Sequence, residues 1–470
     1  IGNNGAYMVA SENPSEGHDS FKTICTQEDL LDYPAYHYMD SIFGGSIWDI
    51  IEYNGKLYIT VVTGKNGNKQ AFALFSGEMD ENGEWTYDLI AGNEADGAEY
   101  PFGLGSDRSG AANLMTYGGY LYIGGYNDPM LALPDVLNGD FTSLYEDLSS
   151  PVCLWRLDEN NDIEMVAGES NELFPEGPIG NMPAGFGSNM NQYVWRMISH
   201  NGKLYLGTFD VTGLVRPIAQ FTNGDIFKMT KEDWMSQIDY IQQVINMVTE
   251  KNKKDIASTG ANLEIASLEE NLNTLEELSE NFDEVTTVAD KQKFYDLMLE
   301  IKEQYLSVRD YLETEAKERI DAFLADEKIE NLGYFIGCLY YMSKSEEGYD
   351  FFVSEDGVNF DVITRNGMGD RYNYGTRVFA ITDSGLTIGT ANPFYGAQVW
   401  LLNEGLKMGD VNMDGEINIF DATEVQCHIA GILELTDDQI TVADVNYDGE
   451  INIFDVTQIQ MYIAGYVSGF

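Results

Sequence analysis

Two stretches near the end of the chain carry its clearest chemistry. Residues 410–421 read Asp-Val-Asn-Met-Asp-Gly-Glu-Ile-Asn-Ile-Phe-Asp. Residues 444–455 read Asp-Val-Asn-Tyr-Asp-Gly-Glu-Ile-Asn-Ile-Phe-Asp, an offset of 444 − 410 = 34. Oxygen-bearing side chains fall at loop positions 1, 3, 5, 9 and 12: Asp410, Asn412, Asp414, Asn418 and Asp421 in the first loop, Asp444, Asn446, Asp448, Asn452 and Asp455 in the second. Position 7, where a loop of this kind offers its main-chain carbonyl, is Glu416 or Glu450. A hard cation such as Ca2+ takes roughly six to eight oxygens, and an EF-hand loop supplies them from positions 1, 3, 5, 7 and 12, with position 9 acting through water. Gly415 and Gly449 sit where the loop turns sharply, and Ile417 and Ile451 fill the apolar position 8. One such string arises by chance in many loops. Two near-identical copies at a fixed offset do not, and two bound Ca2+ are expected.

The remaining reactive residues are sparse. Cys25, Cys153, Cys338 and Cys427 lie far apart without CxxC spacing, which disfavours a zinc site or a disulfide framework. A single pairing among the first three stays open. His18, His37, His200 and His428 do not cluster, which argues against a histidine metal site or a Ser–His hydrolase. The formal net charge of −52 repels nucleic acid and anionic lipid. No apolar run reaches the roughly 18 residues of a membrane span. The chain starts Ile-Gly-Asn-Asn with no basic and apolar leader, which is compatible with a signal already removed.

The elements that hold these groups are read from periodicity. Residues 47–59, 112–123, 194–206 and 377–388 repeat one pattern: a Tyr-, Ile-, Leu- and Val-rich run, a two-residue turn, and a second such run. The turns are Asn54-Gly55, Gly118-Gly119, Asn201-Gly202 and Ser384-Gly385, pairs that tolerate the positive φ of a tight hairpin. Further strands are expected at 71–76, 85–90, 152–157, 163–167, 225–229 and 398–402. Four short strands per repeat, at a long period, is the pattern of propeller blades. The expected fold class is therefore mainly β, a β-propeller of about five blades; stacked hairpins in a sandwich are the alternative.

Between residues 231 and 330 the character changes. Pro is absent, Gly is rare, and apolar residues follow helical spacing: Trp234, Ile238, Ile241, Ile245 and Val248; Leu268, Leu272 and Leu275; then a stripe from Phe294 to Phe323. Three packed helices are expected. The domain organisation reads as a first propeller part over 1–230, a helical insertion over 231–330, a closing propeller part over 331–405 and an all-α, EF-hand-like module over 406–470.

The duplicated loops resemble type I dockerins, with Asp421 and Asp455 at position 12 in place of the Glu of ordinary EF-hands. The resemblance covers residues 408–470. It implies a secreted component that docks, with calcium, onto a cohesin module of a scaffold in cellulosome-like, polysaccharide-degrading assemblies of anaerobic bacteria. In such modules loop positions 10 and 11 carry much of the cohesin specificity, which points to Ile419, Phe420, Ile453 and Phe454. The preceding part, with Trp-Arg-Met at 195–197 and Gly-Thr-Ala-Asn-Pro at 389–393, resembles secreted propeller proteins without an established activity. Residues 354–360 resemble the Asp-box turn of sialidase-like propellers, although Gly357 follows Asp356 directly; there the box is structural.

Three roles stay open for this part. Trp48, Tyr193, Trp195 and Tyr374 lie at blade starts and are candidates to stack on a glycan, making polysaccharide a candidate partner; packing between blades is the competing reading. Asp49, Asp107, Arg196, Asp370 and Arg377 are candidates for a glycoside hydrolase or lyase, which needs paired carboxylates or a base with a stabilising cation. A structural or adhesive role would use the helical arm as its contact.

Overall fold

The computed structural model describes residues 8–26, 29–30, 47–63, 71–106, 108–127, 129–218, 226–252, 261–280, 287–382, 385–402, 407–414, 416–467 and 469–470. Asp107, Asp225, Ser384 and Gly415 lie outside them. The chain divides into two compact units, residues 1–379 with 389–398, and residues 380–388 with 399–470.

The first unit opens with a strand pair, β1 (Met8–Ala10) and β2 (Lys22–Cys25). Antiparallel meanders follow. The first is β3 (Ile47–Tyr53), β4 (Lys56–Thr63), β5 (Ala71–Met79) and β6 (Trp85–Gly92), with the short β7 (Tyr100–Pro101) running parallel to β6. The second is β8 (Ser109–Tyr117), β9 (Tyr120–Asn127), β10 (Leu154–Leu157) and β11 (Ile163–Ala167), with helices α1 (Leu133–Asn138) and α2 (Thr142–Ser149) between β9 and β10. The third begins with β12 (Asn191–His200) and β13 (Lys203–Asp210). The expected hairpin turns hold: Asn54, Gly55, Gly118, Gly119, Asn201 and Gly202 all have positive φ.

After the short helix α3 (Thr212–Val215) comes a helical region of α4 (Lys231–Lys251), α5 (Ala261–Glu280), α6 (Val288–Val308), α7 (Thr314–Phe323) and α8 (Asp326–Met342). The third meander then resumes with β14 (Phe351–Ser354) and β15 (Asp361–Thr364), followed by β16 (Gly375–Thr382), β17 (Gly385–Ala391) and β18 (Val399–Leu402). Neighbouring meanders meet through single residue pairs, Tyr126 with Tyr193 and Phe209 with Gly375. Their faces pack together: Phe72 and Leu74 share a core with Leu121, Ile123 and Trp155, and Leu154 and Val166 share one with Leu204, Leu206 and Phe352. Among the described residues the chain is mainly β with no closed barrel, in three four-stranded meanders and one of three strands.

Two expectations are corrected. No strand forms over the described residues 226–229, because Ile226 is buried and Phe227 packs edge-on against Trp234 beneath the helices. Among the described residues the helical region holds five helices, and it ends at Met342 rather than near 330. The long stripe breaks at the 3-10 turn Arg309–Tyr311. In α8, Gly333 and Gly337 dilute the helical signal. Both glycines have a packing reason, since the Tyr295 and Tyr145 rings lie against them where a Cβ would sit. Every apolar residue of the α4 and α5 stripes named above is buried, and so are Phe294, Leu297, Ile301, Tyr305, Ile320 and Phe323.

The meanders repeat at the level of buried hydrogen bonds. The Asn191 side chain accepts from Thr208 Oγ1 (2.8 Å) and donates to Gly185 O (2.9 Å). Asn373, at 373 − 191 = 182 residues on, accepts from Thr390 Oγ1 (3.1 Å) and donates to Gly367 O (2.8 Å). Each asparagine follows a Gly-X-Gly bend in left-handed conformation, Gly185-Phe186-Gly187 and Gly367-Met368-Gly369, and Gly103-Leu104-Gly105 precedes β8 in the same way. The outer hairpin of each four-stranded meander is capped by an aspartate. Asp80 accepts from the N–H of Asn82 and Glu84, Asp158 from Asn160 and Asp162, and Asp356 from Val358 and Asn359. These bonds hold the Asp356 carboxyl well below the usual range.

Candidate functional site

The second unit carries the duplicated loops. Its helices are α9 (Ile419–Ile429), α10 (Asp437–Ala443) and α11 (Ile453–Ile463). Each loop runs into a helix through the same capping box: Asn418 with Asp421, and Asn452 with Asp455. The core pairs equivalent residues of the two halves, Val411 with Val445, Ala422 with Val456 and Val425 with Ile459, all buried.

The two loops fold alike. The Asp414 N–H donates to Asp410 Oδ1 (3.1 Å) and Asn412 Oδ1 (2.9 Å); the Asp448 N–H donates to Asp444 Oδ1 (3.1 Å) and Asn446 Oδ1 (2.9 Å). Gly449, at φ +80°, donates to Asp444 Oδ2 (2.9 Å). Met413 and Tyr447, the fourth residues, take positive φ in both loops. This curl gathers the side-chain oxygens of positions 1, 3 and 5 around one loop.

Position 12 tests whether the loops suit a cation. Asp421 and Asp455 are fully buried. Asp455 Oδ2 accepts from the Asn452 N–H (2.9 Å), whereas its Oδ1 is buried with no hydrogen-bond partner. An orphaned carboxylate oxygen deep in a module is costly unless a cation meets it. The second loop therefore fits Ca2+, and the first carries the same donor set, although its Asp421 Oδ1 accepts the Asn412 N–H (3.0 Å). Among the described residues no three His, Cys, Asp or Glu side chains form a ready cluster. The donor set of each loop accounts for this, since it includes Asn and a main-chain carbonyl, and bare carboxylates repel one another.

Next to each loop, the residues at positions 10 and 11 point into solvent. Ile419 is 54% exposed, Phe420 66%, Ile453 57% and Phe454 67%. The two pairs match in exposure as they match in sequence, and neither phenylalanine is used by the module's own core.

A duplicated loop-helix module of this build, with oxygen donors at EF-hand positions, belongs to the EF-hand-like calcium modules. Residues 408–464 match the family described as the dockerin type I domain, so the chain carries a C-terminal type I dockerin. No curated protein and no solved structure gives a significant match. Type I dockerins bind calcium, and a dockerin implies a cohesin partner in a cellulosome-type assembly. No described helix is long and apolar enough to cross a membrane.

In the first unit, the four candidate glycan-stacking aromatics come together. Trp48 stacks on Tyr126 (5.4 Å), which meets Tyr193 (4.2 Å); Tyr193 stacks on Trp195 (5.8 Å), and Trp195 meets Tyr374 (5.7 Å). Tyr193 is buried; Trp48, Trp195 and Tyr374 are half-buried and pack against the helical core. Trp48 Nε1 donates to Asn113 Oδ1 (3.1 Å) and to Tyr193 OH (3.2 Å). Burial raises the Tyr193 hydroxyl to about 12.

The candidate charged residues divide. Asp49 Oδ2 accepts from the Leu114 N–H (2.9 Å), and burial raises its carboxyl, with Arg196 opposing. Arg196 Nε donates to Arg377 O (3.4 Å), and the Arg377 guanidinium lies 5.2 Å from the Trp195 ring centre. Asp370 belongs to another network, accepting from Gln398 Nε2 (2.7 Å) and Asn392 Nδ2 (3.2 Å). The four cysteines are free thiols. Sequence reasoning passed over Tyr372, Phe394 and Tyr395, of which the last two each pack on the Tyr372 ring beside that Asp370 network. Their signal was Asn392-Pro393 followed by two aromatics, a turn too short to register as a repeat.

Proposed function

We propose that this chain is an extracellular component of a cellulosome-like, polysaccharide-degrading complex, held on a scaffold cohesin by its dockerin. The observation that carries this reading is the pair of identical, solvent-exposed Ile-Phe steps beside two loops built for cations. Exposed apolar pairs of this size mark a surface that a partner covers. Two Ca2+ would be held by Asp410, Asn412, Asp414, the Glu416 carbonyl, Asn418 through water and Asp421, and by Asp444, Asn446, Asp448, the Glu450 carbonyl, Asn452 through water and Asp455. When bound, the ions would meet the partnerless Asp455 Oδ1 and fix the entry to α9 and α11. Calorimetry of the full chain with a type I cohesin, in calcium and then in chelator, tests this; binding that persists in chelator would sink it.

For the first unit we read the meanders as blades of a propeller that binds glycan. Face-to-face packing of successive meanders, their single-pair contacts between the end of one strand and the start of another, and the aromatic run from Trp48 to Tyr374 support this over catalysis. A helical arm whose named stripes are internally buried leaves little for an adhesive role.

A further inference from the structure

The geometry points to a second carbohydrate site, for neutral polysaccharide, in a cleft lined by Tyr372 and Tyr395, with Phe394 packed on Tyr372 beside it. It rests on the reading that the first unit binds glycan, and its lining shares no residue with the aromatic run of Trp48, Tyr193, Trp195 and Tyr374. The cleft has a volume of about 500 Å3 and is lined by Glu346, Glu347, Asn366, Arg371, Tyr372 and Tyr395, among others. That size lies within the usual range for small-ligand clefts, ~300–1,000 Å3.

Tyr395 is 73% exposed and Phe394 50%, yet their backbone is fixed from below. Asn392 Oδ1 accepts the N–H of both Phe394 and Tyr395, each at 3.0 Å. Asn392 is itself buried and donates to Asp370 Oδ2 (3.2 Å) and Asn373 Oδ1 (3.1 Å). The two rings rest against Tyr372, with centroids at 4.8 and 5.4 Å. Arg371 donates to the Tyr372 hydroxyl (3.1 Å).

The fold does not need these rings. Residues 210–213, 182 positions earlier, share one bond of this turn: Asp210 Oδ1 accepts the Thr212 N–H (2.8 Å), after which the chain enters α3. There the positions of Phe394 and Tyr395 are filled by buried Thr212 and Gly213. Two exposed aromatics replace them in the later repeat, on a turn anchored in the polar core. Rings held this way lose little freedom on binding, and each offers a flat face to the C–H face of a pyranose.

The rim decides the class of sugar. Glu346, Glu347 and Asp370 outnumber Arg371, and Glu347 is shared with Arg216 at 2.6 Å. Carboxylates accept hydrogen bonds from sugar hydroxyls but repel uronates, so the occupant is an uncharged chain.

The test is calorimetry of the full chain with cellohexaose, xylohexaose and an oligogalacturonate of matching length. Either neutral oligosaccharide is expected to bind, and Tyr395→Ala to weaken it about tenfold or more, with Tyr395→Phe near wild type. Met79→Ala, at an exposed side chain on β5 outside both aromatic groups, is expected to leave that affinity unchanged. A neutral ligand that binds as well to Tyr395→Ala overturns this site while leaving the glycan-binding reading standing. Tighter binding of the oligogalacturonate overturns the neutral assignment. If wild type binds none of the three, the glycan reading falls and this site with it. Because Tyr395 is mostly in solvent, its replacement leaves the fold intact, which an unchanged melting curve would verify.

Discussion

Replacing Ile419 and Phe420 by serine tests the docking reading most directly, because the duplication makes the expected result asymmetric. A phenylalanine can bury about 150–250 Å2. About two thirds of Phe420 is still exposed, so a partner removes about 130 Å2 from water, worth about 3 kcal/mol at ~25 cal/mol/Å2. The exposed half of Ile419 adds about 1 kcal/mol. Ordering two side chains takes back about 1–2 kcal/mol, leaving about 2–3 kcal/mol per Ile-Phe pair, or about a hundredfold in Kd. Ile453 and Phe454 present the same pair, so on the proposed docking a dockerin turned through about 180° is expected to engage the cohesin equally well. Loss of one pair then removes only one of two equivalent modes, about 0.4 kcal/mol or twofold. Loss of both should weaken binding about a hundredfold. The assay is calorimetry in calcium with a type I cohesin. Either single replacement weakening binding more than about tenfold would refute two-way docking.

Three further outcomes are expected. Titrating the chelator-stripped chain with Ca2+ should show two ions bound, and the double variant Asp410→Ala, Asp444→Ala should bind neither tightly; no calcium uptake by wild type would refute the loop assignment. Burial raises the Asp210 carboxyl to about 7, against the lowering by Thr212 and Ser345. The native state therefore keeps a proton that the unfolded chain gives up near pH 4, and stability should fall as pH rises from about 4 to about 7. Asp210→Asn should flatten that fall in melting temperature; an identical slope would refute it. Gly337→Ala sets a helix-propensity gain of about 1 kcal/mol against overpacking of about 1–3 kcal/mol, since its Cβ would lie 2.6 Å from Tyr145 Cδ2. The melting temperature should drop, and a rise would show that Tyr145 moves freely.

How far the sequence is legible depends on whether a feature is local. The dockerin loops are: every ligand candidate lies within twelve residues, and its spacing alone carries the chemistry. The hairpins at Asn54-Gly55, Gly118-Gly119 and Asn201-Gly202 are local too, because the turn type is written in two residues. The helices from Trp234 to Phe323 show because their stripes follow one period. α8 hides because Gly333 and Gly337 answer to Tyr295 and Tyr145, whose positions depend on long-range packing. The buried ties of Asn191 with Thr208 and of Asn373 with Thr390 join residues on different strands. Only the Gly-X-Gly bends before β8, β12 and β16 hint at them in sequence. The run from Trp48 to Tyr374 was named residue by residue, but Tyr126, which bridges Trp48 and Tyr193, sits at the far end of β9, away from the blade starts that prompted the choice.

The two kinds of repeat in this chain keep different things, and the difference separates architecture from function. Across the 182-residue offset, what recurs is buried or forced by backbone: Gly185 and Gly367, Asn191 and Asn373, Thr208 and Thr390. These residues close turns and satisfy polar groups, and a meander needs them whatever it binds. Exposed positions are free to differ, and Thr212-Gly213 becomes Phe394-Tyr395. Across the 34-residue offset of the dockerin, the exposed Ile-Phe pair recurs as faithfully as the ligands do. Folding does not require two apolar pairs in solvent; leaving them there is unfavourable until something covers them. A pair kept on both halves is therefore explained by what it touches outside the chain. In the dockerin, the proposed contact lies where the halves agree; in the meanders, the proposed site at Tyr395 lies where they disagree on the surface.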